Sequence, residues 1–287
     1  METQLIAGGL GRRGLLQGAL ATTASMALID PRPADARTHP LDPANSGDIA
    51  LIYRKLAFSM SDEPGYWWLK GRRYGLVDAE LTPLWDMHIG IFFKTRNVSD
   101  AGQFDVTSVS ISFYTDIDNG EFITNVKNPF TGKMVAVNYF PPKAETVRFD
   151  NAGRMDSGAG PGGLVSSGTI GPAWIEGDQV WVQGDHILRR DASTGVSRIR
   201  VNDMTTYFGG KRDVADKSVK SAPAGQTFSD INTWPSWLEM GAQPGSYYSR
   251  VFGHKVASYE RMPQRFRQLM LSQHPNIAND PPKFLEG

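Results

Sequence analysis

The chain contains no cysteine, and its charges cancel. With no cysteine among 287 residues, disulfide bonds, thiolate zinc sites, iron–sulfur clusters and cysteine nucleophiles are excluded. Thirty Lys and Arg residues balance thirty Asp and Glu residues, so the chain has no overall positive field that would concentrate nucleic acid. We therefore expect no nucleic-acid partner, and any chemistry must come from oxygen and nitrogen groups.

Motifs that hold cofactors or activate a serine are also missing. No G-x-G-x-x-G motif joins a predicted strand to a helix, no H-E-x-x-H occurs, and no two histidines have metal-binding spacing. The sequence has no G-x-S-x-G, the motif of many serine hydrolases, and so gives little support for that class. We expect neither a cofactor nor a metal ion.

The N-terminal segment has the pattern of an export signal. Two adjacent arginines within residues 11–16 precede an uncharged stretch, Gly14–Ile29, and the small-residue sequence at 34–36 is typical of a cleavage site. The apolar stretch is shorter than the roughly 20 apolar residues of a membrane span. We predict that residues 1–36 are a twin-arginine signal peptide and that residues 37–287 form a single periplasmic domain with no membrane span. An uncleaved anchor and an amphipathic helix are the alternatives.

Most of the mature chain has the period-two pattern of β-strands. Between about residues 66 and 208, apolar and polar residues alternate, as they do in Ser108–Phe113. Short turns favour antiparallel neighbours; they are predicted at 118–121, 128–133, 175–180 and 191–195. Helical spacing predicts a short N-terminal helix over 48–58 and a C-terminal helix over 264–271. We predict a mainly β fold, a curved antiparallel sheet closing into a barrel-like (calycin-like) structure.

Aromatic residues are concentrated in the predicted sheet and in the loop after it. They either fill the core or line a cavity for a flat apolar ligand, since a closed sheet of eight or more strands has room for one small molecule. As ring contacts for such a ligand we select Trp67, Trp85, Trp181, Trp234 and Trp237.

Several polar residues are candidates for the chemistry. On a strand, Asp86 and His88 lie side by side, facing away from Trp85, and can form an acid–base unit or an exposed polar face. The second acid would be Tyr247 or Tyr248.

Substrate binding is predicted for a histidine and three arginines. His186 shares a face with Val180 and Val182, so it can enter the cavity. Arg198 and Arg200 share another face; facing inward they would bind a carboxylate or phenolate, and facing outward they would be solvated. The third arginine is Arg250.

The segment Trp234–Gly241, followed by Pro244-Gly245, Ser249-Arg250 and Gly253-His254-Lys255, resembles the bacterial and fungal family called domain of unknown function 1838. The resemblance extends over roughly residues 48–275. Similar members often carry export signals and occur in bacteria that degrade aromatic compounds. The family has no assigned reaction, so the resemblance implies no catalytic residue.

From these features we expect a cofactor-free lyase or isomerase. It would act by acid–base catalysis on a hydrophobic aromatic or phenolic molecule in the barrel cavity, and a lignin-derived dimer is the first substrate to test. A non-catalytic periplasmic carrier that uses the same cavity is the alternative, and a structural envelope protein is a third hypothesis if no cavity exists. We also consider a homodimer.

Overall fold

The computed structural model describes residues 38–99, 102–150, 152–156, 159–160, 164–190 and 198–286. The predicted export signal and the predicted turn at 191–195 lie outside these residues. Residues Arg37–Gly287 make up one compact unit.

The described residues form thirteen strands and five α-helices. The helices are α1 (Ser46–Ala57), α2 (Lys211–Ala215), α3 (Gln264–Gln273), α4 (Pro275–Asn279) and α5 (Pro281–Phe284). The strands are β1 (Gly65–Val77), β2 (Glu80–Asn97), β3 (Phe104–Thr115), β4 (Asn125–Lys127), β5 (Met134–Ala136), β6 (Glu145–Phe149), β7 (Met155–Asp156), β8 (Ala159–Gly160), β9 (Leu164–Glu176), β10 (Gln179–Arg190), β11 (Ile199–Gly210), β12 (Ala224–Asn232) and β13 (Ser246–Val256).

Eleven of these strands form one curled antiparallel sheet. Its order is β10-β11-β12-β13-β1-β2-β3-β6-β7-β9-β8, and β9 also pairs with β10. The pairings therefore run around the sheet and return to their start, although β7 and β9 are joined by a single pair, Met155 with Gly168. The prediction of a mainly β, barrel-like antiparallel sheet with few helices is confirmed.

The predicted N-terminal helix is confirmed as α1, which packs inside one end of the curled sheet. The side chain of Asn45 caps its first turn by accepting hydrogen bonds from the amides of Gly47 and Asp48. Farther along the helix, Ile52 and Leu56 are fully buried in the main core. Because α1 contacts β9, β10, β11 and β12, it fills the part of the interior that these strands enclose.

Lys255 of β13 holds the C-terminal end of α1. Its Nζ donates hydrogen bonds to the carbonyl oxygens of Lys55 (2.8 Å) and Phe58 (2.6 Å), and it lies 3.0 Å from Ser221 Oγ. Burial lowers the pKa of Lys255 to about 7. An amino group at this point satisfies carbonyls that the helix leaves without internal partners.

The C-terminal helices cover the outer face of β1, β2 and β3. The predicted helix over 264–271 is confirmed as α3, and its fully buried Phe266 packs against Phe113 at 5.6 Å between ring centroids. Gly90 of β2 admits this ring, because a Cβ there would lie 2.3 Å from Phe266. The helices thus form a second, outer core.

The faces of β3 are reversed relative to a usual barrel strand, because the C-terminal helices cover its outer face. Val109, Ile111 and Phe113 face outward into the helices. The serines between them, such as Ser110, share a face with Phe104 and therefore point into the barrel. Ser110 is nevertheless exposed, so the interior is open beside β3.

Two features of the sheet differ from the sequence prediction. The turn at 118–121 is present but joins no long hairpin: Thr115 and Phe122 form an isolated bridge, and the next strand beside β3 is β6. The sheet also continues past residue 208 into β12 and β13, two strands that the alternation did not predict. The second of these pairs with β1 and so joins the first and the last strand of the sheet.

Candidate active site

Five polar side chains lie in one row across the interior wall of the barrel. His186 of β10 is directly opposite Asp203 of β11, which is opposite Asp230 of β12. The row continues through Ser249 of β13 to Arg73 of β1. Because directly opposite residues share a face of the sheet, the five side chains are neighbours, and we call them the polar row.

One end of the polar row carries a chain of hydrogen-bonding groups. Ser166 Oγ lies 2.6 Å from His186 Nε2, and His186 Nδ1 lies 3.1 Å from Asp203 Oδ2. The carboxylate accepts a hydrogen bond from Nδ1–H and so favours the tautomer of the imidazole whose Nε2 can accept a proton. We call these three residues the relay.

His186 and Asp203 of the relay line a cavity of about 130 Å³ inside the barrel. Apart from His186 and Asp203, its large side chains are mostly apolar or aromatic; they come from Tyr53, Phe149, Met155, Ile170, Tyr207 and Phe228. An engineered apolar cavity of about 150 Å³ holds benzene, so this cavity has room for one six-membered ring. The side chains of His186 and Asp203 are 29% and 25% exposed, so solvent and small molecules reach the relay.

Two tyrosines line this cavity and contact each other. The rings of Tyr53 and Tyr207 meet edge to face at 5.5 Å. Gly184 lets the helix approach β10, since a Cβ there would lie 2.7 Å from the Tyr53 ring. Burial raises the pKa of Tyr207 to about 12 and that of Tyr53 well above its ordinary value. Both phenols therefore stay protonated and can donate hydrogen bonds but cannot act as bases near neutral pH.

The other end of the polar row is a closed ion pair. Arg73 Nη1 donates to both carboxylate oxygens of Asp230, at 2.7 and 2.8 Å, and Ser249 Oγ donates to one of them at 2.6 Å. The guanidinium carbon lies 4.1 Å from the centre of the Tyr247 ring. Arg73, Asp230 and Ser249 are all buried, so their side chains hydrogen-bond to one another and are shielded from solvent.

The predicted acid–base unit of Asp86 and His88 requires a correction. Trp85 on the same strand is fully buried in the main core, so its neighbours Asp86 and His88 lie on the outer face of the barrel. The carboxylate of Asp86 accepts a hydrogen bond from Arg72 Nε at 2.6 Å, and His88 Nδ1 has no hydrogen-bond partner among the described residues. Burial lowers the pKa of His88, and the positive charges of Lys70 and Arg265 lower it further. The pair is therefore neither inside the cavity nor joined by a hydrogen bond.

The structure separates the other predicted catalytic and charged residues. Tyr247 is buried beside the closed ion pair, and burial raises its pKa well above the ordinary value. Tyr248 lies on the outer face, with its ring 6.1 Å from that of Tyr74. The three arginines also lie outside the barrel interior: Arg200 shares the outer face with the exposed Met204, and Arg198 and Arg250 are exposed. The inward placement that carboxylate binding by Arg198 and Arg200 required is therefore wrong.

The five predicted tryptophans act mainly as structural residues. Trp67 is buried, and its Nε1 donates to the carbonyl of Ala57 at the end of α1. Trp85 packs against Trp237 at 5.7 Å between ring centroids. Trp181 shares the outer face with the partly exposed Trp174, and Trp234 Nε1 donates to the carbonyl of Pro244. Within the part of the chain that the structure describes, none of them lines the cavity beside the relay.

Of the residues selected from the sequence, His186 is where it was expected to be, facing the interior. Its partners Ser166 and Asp203 were missed. For Asp203 a signal existed, because it shares a face with Val201 on an alternating strand. Ser166 gave no such signal, since it lies in no motif.

Two kinds of site are absent from the ranges that the structure describes. In those ranges no group of three histidine or acidic side chains is placed to hold a metal ion. No helix there has the length and apolar character needed to cross a bilayer.

The fold and the site together define a curled antiparallel β-barrel with a serine–histidine–aspartate relay in its interior. Residues 196–287 match a family described as a protein of unknown function (DUF1838), and the predicted resemblance is thereby confirmed for the C-terminal third of the chain. No curated protein and no solved structure matches the chain. The matched range includes Asp203 and Asp230 but not Ser166 or His186, and the family description names no activity.

Proposed function

We propose that this protein is an enzyme that transfers protons on a small hydrophobic molecule, as a lyase or isomerase does, using His186 in the barrel interior. The observation that carries the proposal is the hydrogen bond from His186 Nδ1 to Asp203 at the wall of an aromatic-lined cavity. The substrate class follows from that lining, and no cofactor enters the proposed steps. The proposed place of action remains the periplasm, after removal of residues 1–36.

His186 has the two properties that a proton-transfer group needs. Asp203 orients the ring and stabilises the imidazolium form that arises when Nε2 takes up a proton. Nε2 faces Ser166 Oγ, and a substrate hydroxyl or acidic C–H group that displaces this hydroxyl would meet the same lone pair. General acid–base catalysis of this kind contributes about 10²- to 10⁴-fold to a rate.

The size of the cavity restricts the substrate. A volume of about 130 Å³ suits one aromatic ring. A lignin-derived dimer would have to keep its second ring outside. Single-ring phenols and phenolic acids are therefore the substrates to test before two-ring compounds.

A non-catalytic carrier is the second candidate. The aromatic side chains that line the cavity favour it, because they can bind an apolar ring without any reaction taking place. One experiment separates the two. The purified protein is incubated with a panel of single-ring phenols, phenolic acids and aromatic dimers, and thermal stabilisation and product formation by mass spectrometry are both followed.

The matched variants for this experiment are His186→Gln and His88→Gln. An enzyme that uses His186 forms product, loses turnover in His186→Gln and keeps it in His88→Gln, whose histidine lies on the outer face. Stabilisation without product in the wild-type protein indicates the carrier. If His186→Gln turns over at the wild-type rate, the assigned proton-transfer group is incorrect.

A further inference from the structure

We propose that Ser166 is a nucleophile and that this chain hydrolyses small esters through an acyl-serine intermediate. The inference rests on the proposed function in so far as both use His186 for proton transfer. It goes further by assigning a covalent step and a bond type to the site.

The first argument is the order of the atoms in the relay. A serine is activated when a histidine accepts its proton on one ring nitrogen while a carboxylate holds the other. Here Ser166 Oγ lies 2.6 Å from Nε2 of His186, and Nδ1 of the same ring lies 3.1 Å from Asp203 Oδ2. Both distances and both ring nitrogens are those that this arrangement requires, although the G-x-S-x-G motif is missing.

The second argument is that the backbone fixes this geometry. The three residues lie on the adjacent strands β9, β10 and β11. His186 is directly opposite Asp203 in one pairing, and in the other it is opposite Gly168, two residues from Ser166 on the same face. Groups placed by a sheet ladder keep their positions better than groups on loops, as a catalytic constellation needs.

The third argument comes from a comparison within the same wall. Ser249 also donates to a carboxylate of the polar row, but it is fully buried and bonded to the closed pair of Arg73 and Asp230, as a structural hydroxyl is expected to be. His186, by contrast, is only partly buried and lines the cavity, and Ser166 beside it is also only partly buried. A purely structural role would not require that access.

The reaction follows from this geometry. Ser166 Oγ bonds to the carbonyl carbon of the ester while its proton passes to His186 Nε2. The tetrahedral adduct then breaks its bond to the alcohol oxygen, which takes that proton and leaves. A water molecule attacks the acyl-serine with His186 again as base; the carboxylic acid departs and Ser166 regains its proton.

The cavity identifies the class of ester. Its larger lining side chains are apolar or aromatic apart from Asp185, His186 and Asp203, and its volume admits one ring. The expected substrates are therefore esters in which one side is a single aromatic ring or a short acyl group, such as phenyl acetate. Long acyl chains do not fit within this volume.

The test uses the full-length protein, phenylmethylsulfonyl fluoride as a single-ring serine reagent, and phenyl acetate as substrate. The variants are Ser166→Ala and Asp203→Asn, with Ser167→Ala as the matched control because the exposed Ser167 lies on the opposite face of the same strand. Circular dichroism and the urea midpoint establish that each variant is folded. Intact-mass and peptide mass spectrometry locate the sulfonyl group.

We expect one sulfonyl group per chain, on Ser166, and hydrolysis of phenyl acetate. Ser166→Ala loses both, Ser167→Ala keeps both, and Asp203→Asn slows both by about 10²- to 10⁴-fold. Absence of label on Ser166, or wild-type hydrolysis by folded Ser166→Ala, overturns the inference. If that happens while His186-dependent turnover of a phenol persists, the nucleophile is wrong and the proposed proton-transfer function stands. If neither activity depends on His186, both fail.

Discussion

The buried ion pair between Arg73 and Asp230 allows a quantitative prediction about stability. The two side chains are 7% and 6% exposed and are joined by hydrogen bonds of 2.7 and 2.8 Å. Removing one charge leaves the other buried without its partner, which costs about 3–5 kcal/mol, whereas replacing both by apolar groups of similar volume is often neutral or stabilising. We therefore expect Arg73→Met and Asp230→Leu each to lower the free energy of unfolding by about 3–5 kcal/mol.

The double variant Arg73→Met/Asp230→Leu provides the decisive comparison. It should be more stable than either single variant, because no uncompensated charge remains. Urea unfolding followed by tryptophan fluorescence measures all four proteins, since Trp85 is opposite Arg73 in the sheet and reports the packing of this wall. A double variant that loses the sum of the two single losses would refute the reasoning, because it would mean that the two charges stabilise the fold independently.

Three further predictions concern the framework. Burial lowers the pKa of Lys255 to about 7, so between pH 7 and about 10 the unfolded chain holds a proton that the folded chain has released. The free energy of unfolding of the wild-type protein, relative to that of Lys255→Met, should therefore rise by up to about 1.4 kcal/mol per pH unit in this range and stay constant below pH 7. A difference that does not change with pH would mean that the ammonium group stays charged in the folded protein. Gly71→Ala should cost about 3 kcal/mol or more in urea unfolding, because its Cβ would lie 2.1 Å from the carbonyl oxygen of Arg250; a loss below 1 kcal/mol would contradict this close approach of β1 and β13. Phe266→Ala should cost about 3–5 kcal/mol in the same assay, because the fully buried ring seals the outer core over Gly90; an unchanged midpoint would show that α3 adds no stability.

Strands with one apolar face could be predicted from the sequence, and strands with polar interior positions could not. The strict alternation at Ser108–Phe113 identified β3. In β12 and β13 the inward positions include Asp230 and Ser249, which have no apolar signal. Their burial is compensated by Arg73, more than 150 residues away in sequence, so no local pattern could reveal these strands.

The candidate site could be predicted only in part, because its residues also depend on contacts between strands that are distant in sequence. The inward direction of His186 followed from the face it shares with Val180 and Val182. Its contacts with Ser166 and Asp203 depend on the register of three strands, and local sequence leaves that register open. His88 was selected because it shares a strand face with Asp86, but the alternation that pairs them also places both outside once Trp85 is inside.

Because the apolar residues of β3 face outward, the C-terminal helices are their cover against solvent. Without the segment after Met262, the outward residues Val109, Ile111 and Phe113 would form a bare apolar stripe on the surface, while hydroxyl groups occupied the inside. A chain shortened there would expose this apolar stripe to neighbouring molecules and should self-associate through it. The segment over α3, α4 and α5 is therefore expected to protect the folded protein from self-association.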